Sequence, residues 1–365
     1  MRSNYKKLGE YIRPIDERNS DGSLGKDNLY GISVTKDFIV THANLVGVTF
    51  GSYKVVAPRQ FAYIPDTSRR GDKIAISLNT MGEKIIVSSI CTVFEIVDED
   101  QLLPEYLMLW FMRPEFDRYA RFMSNGSARE VFDWDSMCGV ELPVPSLPEQ
   151  RKIVHDYQVI TDRIELLRKM NEKLESIGET VYKGIFEAHG EELPDNWHMR
   201  KLSEYLPVIT GKKDVNTTCV DGKYPFFSCS QDCLWTNEFS FDTEAILVAG
   251  NGDFNVKYYS GVFEAYQRTY VLVPDNKQFV GWLYYVVKKS LPKAVTAARG
   301  SVISFITKGI LEDISFPVPD DEDVLLSFCK QAKDILSAIR KNNDEILSLE
   351  QLQLFLLNSL SFKGA

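Results

Sequence analysis

Residues 146–188 have the periodicity of one long helix, and this stretch limits what the chain can fold into more than any other feature. Ser146 is a favourable N-cap, and Glu149 lies three residues later, where its carboxylate can reach back to the N–H of the cap. The seam positions alternate in steps of four and three, and they are occupied by Ile153, Tyr157, Ile160, Ile164, Leu167, Asn171, Leu174, Gly178, Val181 and Ile185. This heptad pattern predicts a helix that needs a partner helix, and about 40 residues of helix span roughly 60 Å.

The end of the chain carries the matching helix. Asp320 is the predicted cap, with Asp323 three residues later. Its seam positions are occupied by Leu325, Phe328, Ala332, Ile335, Ile339, Asn342, Ile346, Leu349, Leu356 and Leu360. Asn342 is a polar interruption of this seam, as Asn171 is of the first. The two stretches are therefore predicted to pack on each other as a coiled coil.

An internal repeat connects these helices to the rest of the chain. Pro-Val-Pro precedes each helix, at 143–145 and at 317–319, so the numbering of the two copies differs by 317 − 143 = 174. Gly-Ser pairs at 126–127 and 300–301 have the same offset. Each half is thus a globular region followed by a long helix, and two copies are too few for a solenoid, which needs at least three.

The beginnings of the two halves also match, because residues 7–12 resemble residues 201–206. We predict an α+β fold in which two globular mixed α/β heads are separated by two long antiparallel helices that form a coiled coil, as a pseudo-twofold tandem repeat. The predicted boundaries are 1–145 for the first head, 146–190 for the central spacer helix, 191–317 for the second head and 318–365 for the C-terminal spacer helix.

Within each head, short β-branched or alternating runs predict strands, and neither half alternates strand and helix regularly enough for a doubly wound sheet. The predicted strands are 55–57, 73–76 and 92–97 in the first head, and 245–248 and 269–273 in the second. The predicted helices are 102–116 and its counterpart 280–289.

Composition excludes several classes of protein. The chain has 365 residues, and 44% of them are hydrophobic. It contains no apolar run that approaches the length of a membrane span, roughly 18 residues, and no N-terminal apolar segment of the kind found in signal peptides. We therefore expect a cytoplasmic protein with reduced cysteines and no membrane association. A net charge of −9 does not favour a nucleic-acid binder unless its basic residues are concentrated on one face.

The usual catalytic motifs are missing from the sequence. It contains no P-loop, no Gly-x-Gly-x-x-Gly, no His-Glu-x-x-His and no Gly-x-Ser-x-Gly. The nearest nuclease-like pattern is Pro194-Asp195 with Asp221-Gly222-Lys223, and both pieces read as turns. Cys219, Cys229 and Cys233 lack the spacing of a zinc site. We therefore predict a chain without catalytic residues and without a metal site.

Polar and basic residues in Gly-rich loops, interleaved with aromatic residues, are the remaining candidates for a site. Arg and Lys pair with phosphates or guanine, and Asn and Gln pair with adenine, although any one of these residues is also an ordinary surface residue. The candidates in the first head are Lys54, Arg59, Gln60, Tyr63, Arg69, Arg70, Asn125, Ser127 and Arg129. Those in the second head are Lys212, Lys213, Asn251, Asn255, Lys257, Tyr258, Gln267, Arg268, Arg299 and Ser301.

Together these features resemble the DNA-specificity subunit of type I restriction–modification enzymes. The most specific stretch is 142–154, Leu-Pro-Val-Pro-Ser-Leu-Pro-Glu-Gln-Arg-Lys-Ile-Val, which is similar to the start of the first conserved helix of that family. Residues 201–205 and the two Gly-Ser loops support the resemblance. The second helix departs from the pattern, since Pro319-Asp320-Asp321-Glu322 lacks the Pro-Glu-Gln form.

The resemblance implies that each head is a target-recognition domain that reads one half of a bipartite double-stranded DNA sequence. It implies that the coiled coil fixes the gap between the halves and that two modification subunits, which are adenine methyltransferases, dock on the chain. Restriction subunits with translocase and nuclease activity join them. S-adenosylmethionine, ATP and Mg then belong to the partner subunits, and this chain itself is not an enzyme.

Two alternatives stay open at the level of sequence. One is a non-catalytic, two-headed coiled-coil adaptor that binds protein or polysaccharide partners, which the low pI of 5.2 favours. The other is a self-sufficient nuclease that uses Asp221-Gly222-Lys223. The DNA target and the gap length depend on the geometry of a few loop side chains, and the sequence does not specify that geometry.

Overall fold

A computed structural model describes residues 5–41, 47–67, 73–124, 130–188, 192–219, 221–298 and 305–361, although side chains are placed only to residue 296 in the sixth range. The chain divides into two compact units. The first unit comprises residues 1–164 and 348–365, and the second comprises residues 165–347. Each long helix therefore contributes residues to both units, instead of forming a compact unit of its own.

The first unit is built from short strands and three helices before the first long helix. Its elements are β1 Tyr5–Lys7, β2 Ile12–Ile15, β3 Tyr30–Ile32, β4 Phe38–Val40, β5 Lys54–Val56, β6 Phe61–Tyr63, β7 Ile76–Leu78, β8 Ile85–Val87, β9 Thr92–Ile96, α1 Pro104–Met112, α2 Pro114–Met123, α3 Trp134–Cys138, β10 Glu141–Pro143 and α4 Leu147–Phe186. Strands β2-β9-β6-β7 form an antiparallel sheet, and β1-β10, β3-β4 and β5-β8 are two-stranded pairs.

The second unit has longer strands and one larger sheet. Its elements are β11 Trp197–Lys201, β12 Val208–Thr210, β13 Tyr224–Phe227, β14 Cys233–Thr236, β15 Phe241–Ala249, β16 Val256–Ala265, β17 Thr269–Leu272, α5 Val280–Ala298, α6 Lys308–Glu312, β18 Ser315–Pro319 and α7 Glu322–Ser359. The sheet order is β12-β17-β15-β16-β13-β14, in which β13 and β16 are parallel and the other neighbours antiparallel. The predicted α+β class with two heads and two long helices is confirmed.

The predicted single helix over 102–116 is wrong, because two helices occupy this region. Arg113 has φ −68° and ψ 137°, an extended conformation between α1 and α2. Pro114 causes the break, since its ring disfavours the helical conformation of the preceding residue. Pro114 then begins α2, where its missing N–H costs little.

The repeat seen in the sequence is also a repeat of structure. Strand β1 pairs antiparallel with β10, and β11 pairs antiparallel with β18, so the first and last strands of each head lie side by side. A 3-10 turn follows each first strand. The N–H of Leu8 donates to Val140 O at 2.8 Å, and the N–H of Leu202 donates to Ile314 O at 2.9 Å. Each head is thus closed by the same pair of strands immediately before its long helix.

The two long helices pack antiparallel within each unit. In the second unit the rings of Tyr182 and Phe328 are 5.8 Å apart, and Asn342 Nδ2 donates to Asn171 Oδ1 at 2.8 Å. The two polar seam positions therefore satisfy each other. In the first unit Gln353 Nε2 donates to Thr161 Oγ1 at 2.8 Å. Among the described residues, no helix is long and apolar enough to cross a membrane.

The starts of the long helices differ slightly. The carbonyl of Ser146 accepts from the N–H groups of Glu149 and Gln150, both at 2.9 Å, so α4 begins directly after the predicted cap. The predicted cap Asp320 of α7 is wrong by one residue. Asp321 Oδ1 accepts from the N–H of Asp323 at 3.0 Å, and α7 begins at Glu322.

The buried faces of the helices are wider than a coiled-coil seam. Ile153, Ile160, Ile164 and Leu167 are buried as the heptad pattern predicts. Further along α4, however, Tyr182 and Phe186 are buried and Ile185 is only partly so. The reason is that Tyr182 and Phe186 belong to the core cluster of the second head, which also includes Trp282. A helix that packs on both a partner helix and a head buries a broader stripe than a simple coiled coil.

Candidate nucleic-acid interface

In the first head, the described candidate side chains are held by other residues of the chain. Lys54 Nζ lies 3.2 Å from Asp16 Oδ1, and this contact lowers the pKa of the Asp16 carboxyl. Arg59 binds Glu99, with Nη2 2.6 Å from Oε2, and it also binds Glu105. The two carboxylates raise the pKa of Arg59 above its ordinary value. These basic groups are locally neutralised, so they give the first head no free positive patch of their own.

Gln60 and Tyr63 are buried. Gln60 is 8% exposed, its Nε2 donates to Glu95 Oε2 at 2.8 Å, and its Oε1 accepts from the N–H of Ala57 at 2.8 Å. Tyr63 lies in the core beside Phe94 and is fully buried, which raises the pKa of its hydroxyl. The interpretation of Tyr63 as a DNA contact is therefore corrected: strand β6 places this ring in the interior, where no ligand reaches it.

In the second head, backbone hydrogen bonds bring three candidate loops together. The N–H of Lys212 donates to Ala265 O at 3.1 Å, and the N–H of Gln267 donates to Lys213 O at 3.0 Å. The N–H of Gly250 donates to Arg268 O at 2.9 Å. The loops 211–213, 250–255 and 266–268 thus lie side by side, although they are far apart in sequence.

Two glycines allow this approach of the loops. A Cβ on Gly211 would lie 2.2 Å from Ala265 O, and a Cβ on Gly250 would lie 2.6 Å from Arg268 O. Both distances are shorter than any side chain tolerates, and the atoms that would clash are backbone atoms. The sequence shows these residues as ordinary turn glycines, whereas the structure shows that they are needed for the loops to meet.

The basic side chains on these loops differ in their exposure and in their ion pairs. Lys212 is exposed, with Nζ 5.6 Å from the centroid of the Phe241 ring. Lys213 pairs with Glu238, which raises the pKa of Lys213. Arg268 is exposed, and none of the described carboxylates forms an ion pair with its guanidinium. We call Lys212, Lys213 and Arg268, together with loop 250–255, the basic loop cluster.

The other candidates of the second head take part in holding its structure. Asn255 Nδ2 donates to Cys229 O at 3.1 Å, and Asn251 lies half-buried in the same loop. Lys257 donates to Ser230 O, and burial lowers the pKa of Lys257. The hydroxyl of Tyr258 donates to Glu244, so it does not point toward the basic loop cluster as a free donor.

Some features of the site could not be predicted and others lie outside the described residues. Asp214 accepts from Gln267 Nε2 at 3.3 Å, and Glu238 pairs with Lys213; no sequence signal indicated these acidic partners. The candidates outside the described residues are Arg69, Arg70, Asn125, Ser127, Arg129, Arg299 and Ser301. Both Gly-Ser loops are in that set, so their predicted role stays a prediction.

Comparison with known proteins identifies the family to which the chain is similar. The chain matches the family described as "Type I restriction modification DNA specificity domain" over residues 68–176 and 194–353. It is 35% identical over 161 residues to the type I restriction enzyme EcoDI specificity subunit of Escherichia coli, a match that covers 44% of this chain and 36% of that protein. It is 22% identical over 306 residues to the MjaIX specificity subunit of Methanocaldococcus jannaschii, which covers 73% of this chain and 70% of that protein.

A solved structure shows the same fold. The type I restriction–modification S subunit from M. genitalium superimposes with a TM-score of 0.61 at 14% identity, and the match covers 98% of this chain and 95% of that one. The matched family regions include the first head from residue 68 onward, nearly all of the second head and most of both long helices. The resemblance drawn from the sequence is confirmed, and the chain belongs to the DNA-specificity subunit family of type I restriction–modification systems.

Proposed function

We propose that this chain selects the DNA target of a type I restriction–modification complex, with each head reading one half of a bipartite sequence. The duplication carries the proposal, because each head is closed by an equivalent pair of strands, β1-β10 or β11-β18, that leads into a long helix. Two half-sites read by two repeated heads follow the logic by which the symmetry of a dimeric protein sets half-site spacing.

The basic loop cluster is the proposed contact of the second head with DNA. Its lysine and arginine groups suit phosphate oxygens or guanine, and the amide of Asn251 suits adenine. The exposed guanidinium of Arg268 and the exposed ammonium of Lys212 support this assignment. In the first head, we propose that Arg69, Arg70, Asn125, Ser127 and Arg129 contribute the corresponding contacts, with Lys54 and Arg59 in supporting roles.

We further propose that two modification subunits dock on the chain. Leu166, Met170 and Ile177 of α4 are 50%, 42% and 53% exposed. Their spacing places them on one side of the helix, and an exposed apolar stripe of this kind marks a protein-binding surface. In this proposal, methyl transfer with S-adenosylmethionine, and translocation and cleavage with ATP and Mg, belong to the partner subunits. The chain supplies specificity in the cytoplasm and performs no catalysis.

Sequencing of the adenine methylome tests the proposal. Cells that express the chain with the modification subunit of the same system should methylate adenine in both halves of one bipartite motif with a fixed degenerate gap. Cells that express the modification subunit alone should not. Methylation that is the same with and without this chain would overturn the proposal and favour the adaptor alternative.

The same assay tests the basic loop cluster. Lys212→Ala combined with Arg268→Ala should lower methylation of the motif, since two cationic contacts are lost. Lys183→Ala is the control, because Lys183 is an exposed residue of α4 outside the cluster. An unchanged methylation level in the double variant would remove the cluster from the DNA interface.

A further inference from the structure

The hairpin loop 228–232, Ser-Cys-Ser-Gln-Asp, joins β13 to β14 and lies against the basic loop cluster. Cys229 Sγ donates to Arg268 O at 3.3 Å, and Cys229 O accepts from Asn255 Nδ2 at 3.1 Å. Arg268 and Asn255 belong to two different loops. The hairpin loop is therefore fixed to both of them and extends the proposed DNA-binding surface, although no sequence pattern indicates it.

Hydrogen bonds within the hairpin loop and from one lysine hold its backbone in place. Ser228 Oγ accepts from the N–H of Ser230 at 3.2 Å, and Ser230 Oγ accepts from the N–H of Asp232 at 3.0 Å. Serine turns of this kind fix the local backbone conformation. Lys257 Nζ donates to Ser230 O. The backbone of Gln231 is thus held on both sides before any ligand binds, which reduces the entropic cost of binding.

Gln231 has an amide side chain that is free to bind a ligand. The residue is exposed, and none of the described residues forms a hydrogen bond with its side chain. The side-chain amides of Asn255 and Gln267, by contrast, are each bound to other residues of the chain. Gln231 lines a groove of about 610 Å³ that loop 250–255 and α5 complete. Its amide therefore keeps both its donor and its acceptor for a ligand.

The charge of the hairpin loop favours contact with a base over contact with a phosphate. The loop contains no lysine or arginine, and the carboxylate of the exposed Asp232, next to Gln231, repels phosphate. Lys257 Nζ is bound to Ser230 O, and burial lowers the pKa of this lysine. A glutamine amide presents a donor beside an acceptor, which matches N7 and the N6–H of adenine in the major groove.

We propose that Gln231 reads one adenine of the half-site that the second head recognises. Its Oε1 accepts from adenine N6–H, and its Nε2 donates to adenine N7. The cations Lys212 and Arg268 then position the head on the DNA backbone, while the hairpin loop supplies base specificity. This inference rests on the proposed function and deepens it, since it names one base and the residue that reads this base.

Binding of DNA duplexes to the purified complex of the chain with the modification subunit tests this inference. The duplexes carry the methylated motif, or the same motif with one specified base pair changed, for each position in turn. Gln231→Ala should lose about 10-fold or more of the discrimination at one A·T pair in one half-site and keep it elsewhere. Gln231→Glu should shift the preference there from adenine toward cytosine, because a carboxylate accepts from cytosine N4 and cannot donate to adenine N7.

Controls separate the possible outcomes. Gln278→Ala is the matched control, because Gln278 is an exposed glutamine of the second head outside these loops, and it should keep wild-type discrimination at every position. Retained discrimination at the other positions shows that a Gln231 variant is folded. Wild-type discrimination throughout by Gln231→Ala, or a loss confined to a G·C pair, would overturn the inference alone. A wild-type complex that does not distinguish the motif from the changed duplexes would instead overturn the proposed function.

Discussion

At the scale of single residues, Gln150 shows what the Pro-Glu-Gln motif does. Its side chain is completely buried. Its Oε1 accepts from the N–H of Leu103 at 2.9 Å, and its Nε2 donates to Gln101 O at 2.9 Å and to Pro145 O at 2.8 Å. One amide therefore joins the start of α4 to the start of α1. The equivalent position of the second repeat is Val324, so that repeat lacks this connection.

Gln150→Leu tests this role. The substitution removes the hydrogen-bond partner of one N–H and two carbonyl groups, of which those of Leu103 and Pro145 belong to half-buried residues and that of Gln101 to an exposed one. We expect the free energy of unfolding to fall by about 2 kcal/mol, measured by urea denaturation. Gln158→Leu is the matched control, since Gln158 is exposed on the same helix and its loss should cost less than about 0.5 kcal/mol. Equal stability of the two variants would contradict the prediction.

At the scale of elements, the two long helices serve both as partners of each other and as walls of the heads. Their mutual contacts follow the heptad pattern, as in the Asn171–Asn342 pair. Their contacts with the heads depart from it, as with Tyr182 and Phe186. A helix that packs both on its partner helix and on a head tolerates a change of length only in whole heptads, because these keep the seam in register.

Removal of one heptad from both helices, residues 161–167 and 347–353, tests whether the helices set the gap. Seven residues of helix correspond to about 10 Å, which is about three base pairs of DNA. We expect the methylated motif to keep both half-sites and to lose about three positions from its degenerate gap. Replacement of these segments by other heptads of equal length should leave the gap unaltered, and an unaltered gap after the deletion would count against the proposed spacing role.

At the scale of the whole molecule, the net charge of −9 does not represent the local charge at the basic loop cluster. Net charge includes acidic runs such as residues 320–323, which lie at the start of α7 and are not part of the loops. The phosphate contacts that hold DNA can be shared with partner subunits, so an acidic chain is compatible with sequence-specific reading. DNA reading depends on the local arrangement of a few cationic side chains and not on the net charge of the chain.

Exchange of one head tests whether each head reads its own half of the target independently of the other. Replacing residues 197–319 by the second head of another specificity subunit keeps the closing strands β11 and β18 as a pair. We expect one half of the methylated motif to change while the other half and the gap stay constant. Methylome sequencing provides the measurement. A change in both halves would show that the heads do not read independently.

Periodicity and repetition in the sequence determined the larger plan of this protein. The heptad seams, the Pro-Val-Pro offset and the resemblance of residues 7–12 to 201–206 were sufficient for two heads and two long helices, because these signals are local or repeat at a fixed interval. The start of α7 was misplaced by one residue, since Asp320 and Asp321 are equally good caps by residue type. The break between α1 and α2 was missed although Pro114 signals it.

Contacts between residues distant in sequence decided the rest, and no local pattern reports them. Tyr63 became a core residue because β6 lies inside its sheet, between β9 and β7, and is buried on both faces. Lys212, Gly250 and Arg268 met because β15, β16 and β17 are neighbours. Gly178 is a position of the predicted seam, yet a Cβ there would lie 1.9 Å from the buried Tyr285 hydroxyl. The sequence determined which elements form and how they repeat, whereas burial and the neighbours of each side chain depend on how those elements pack.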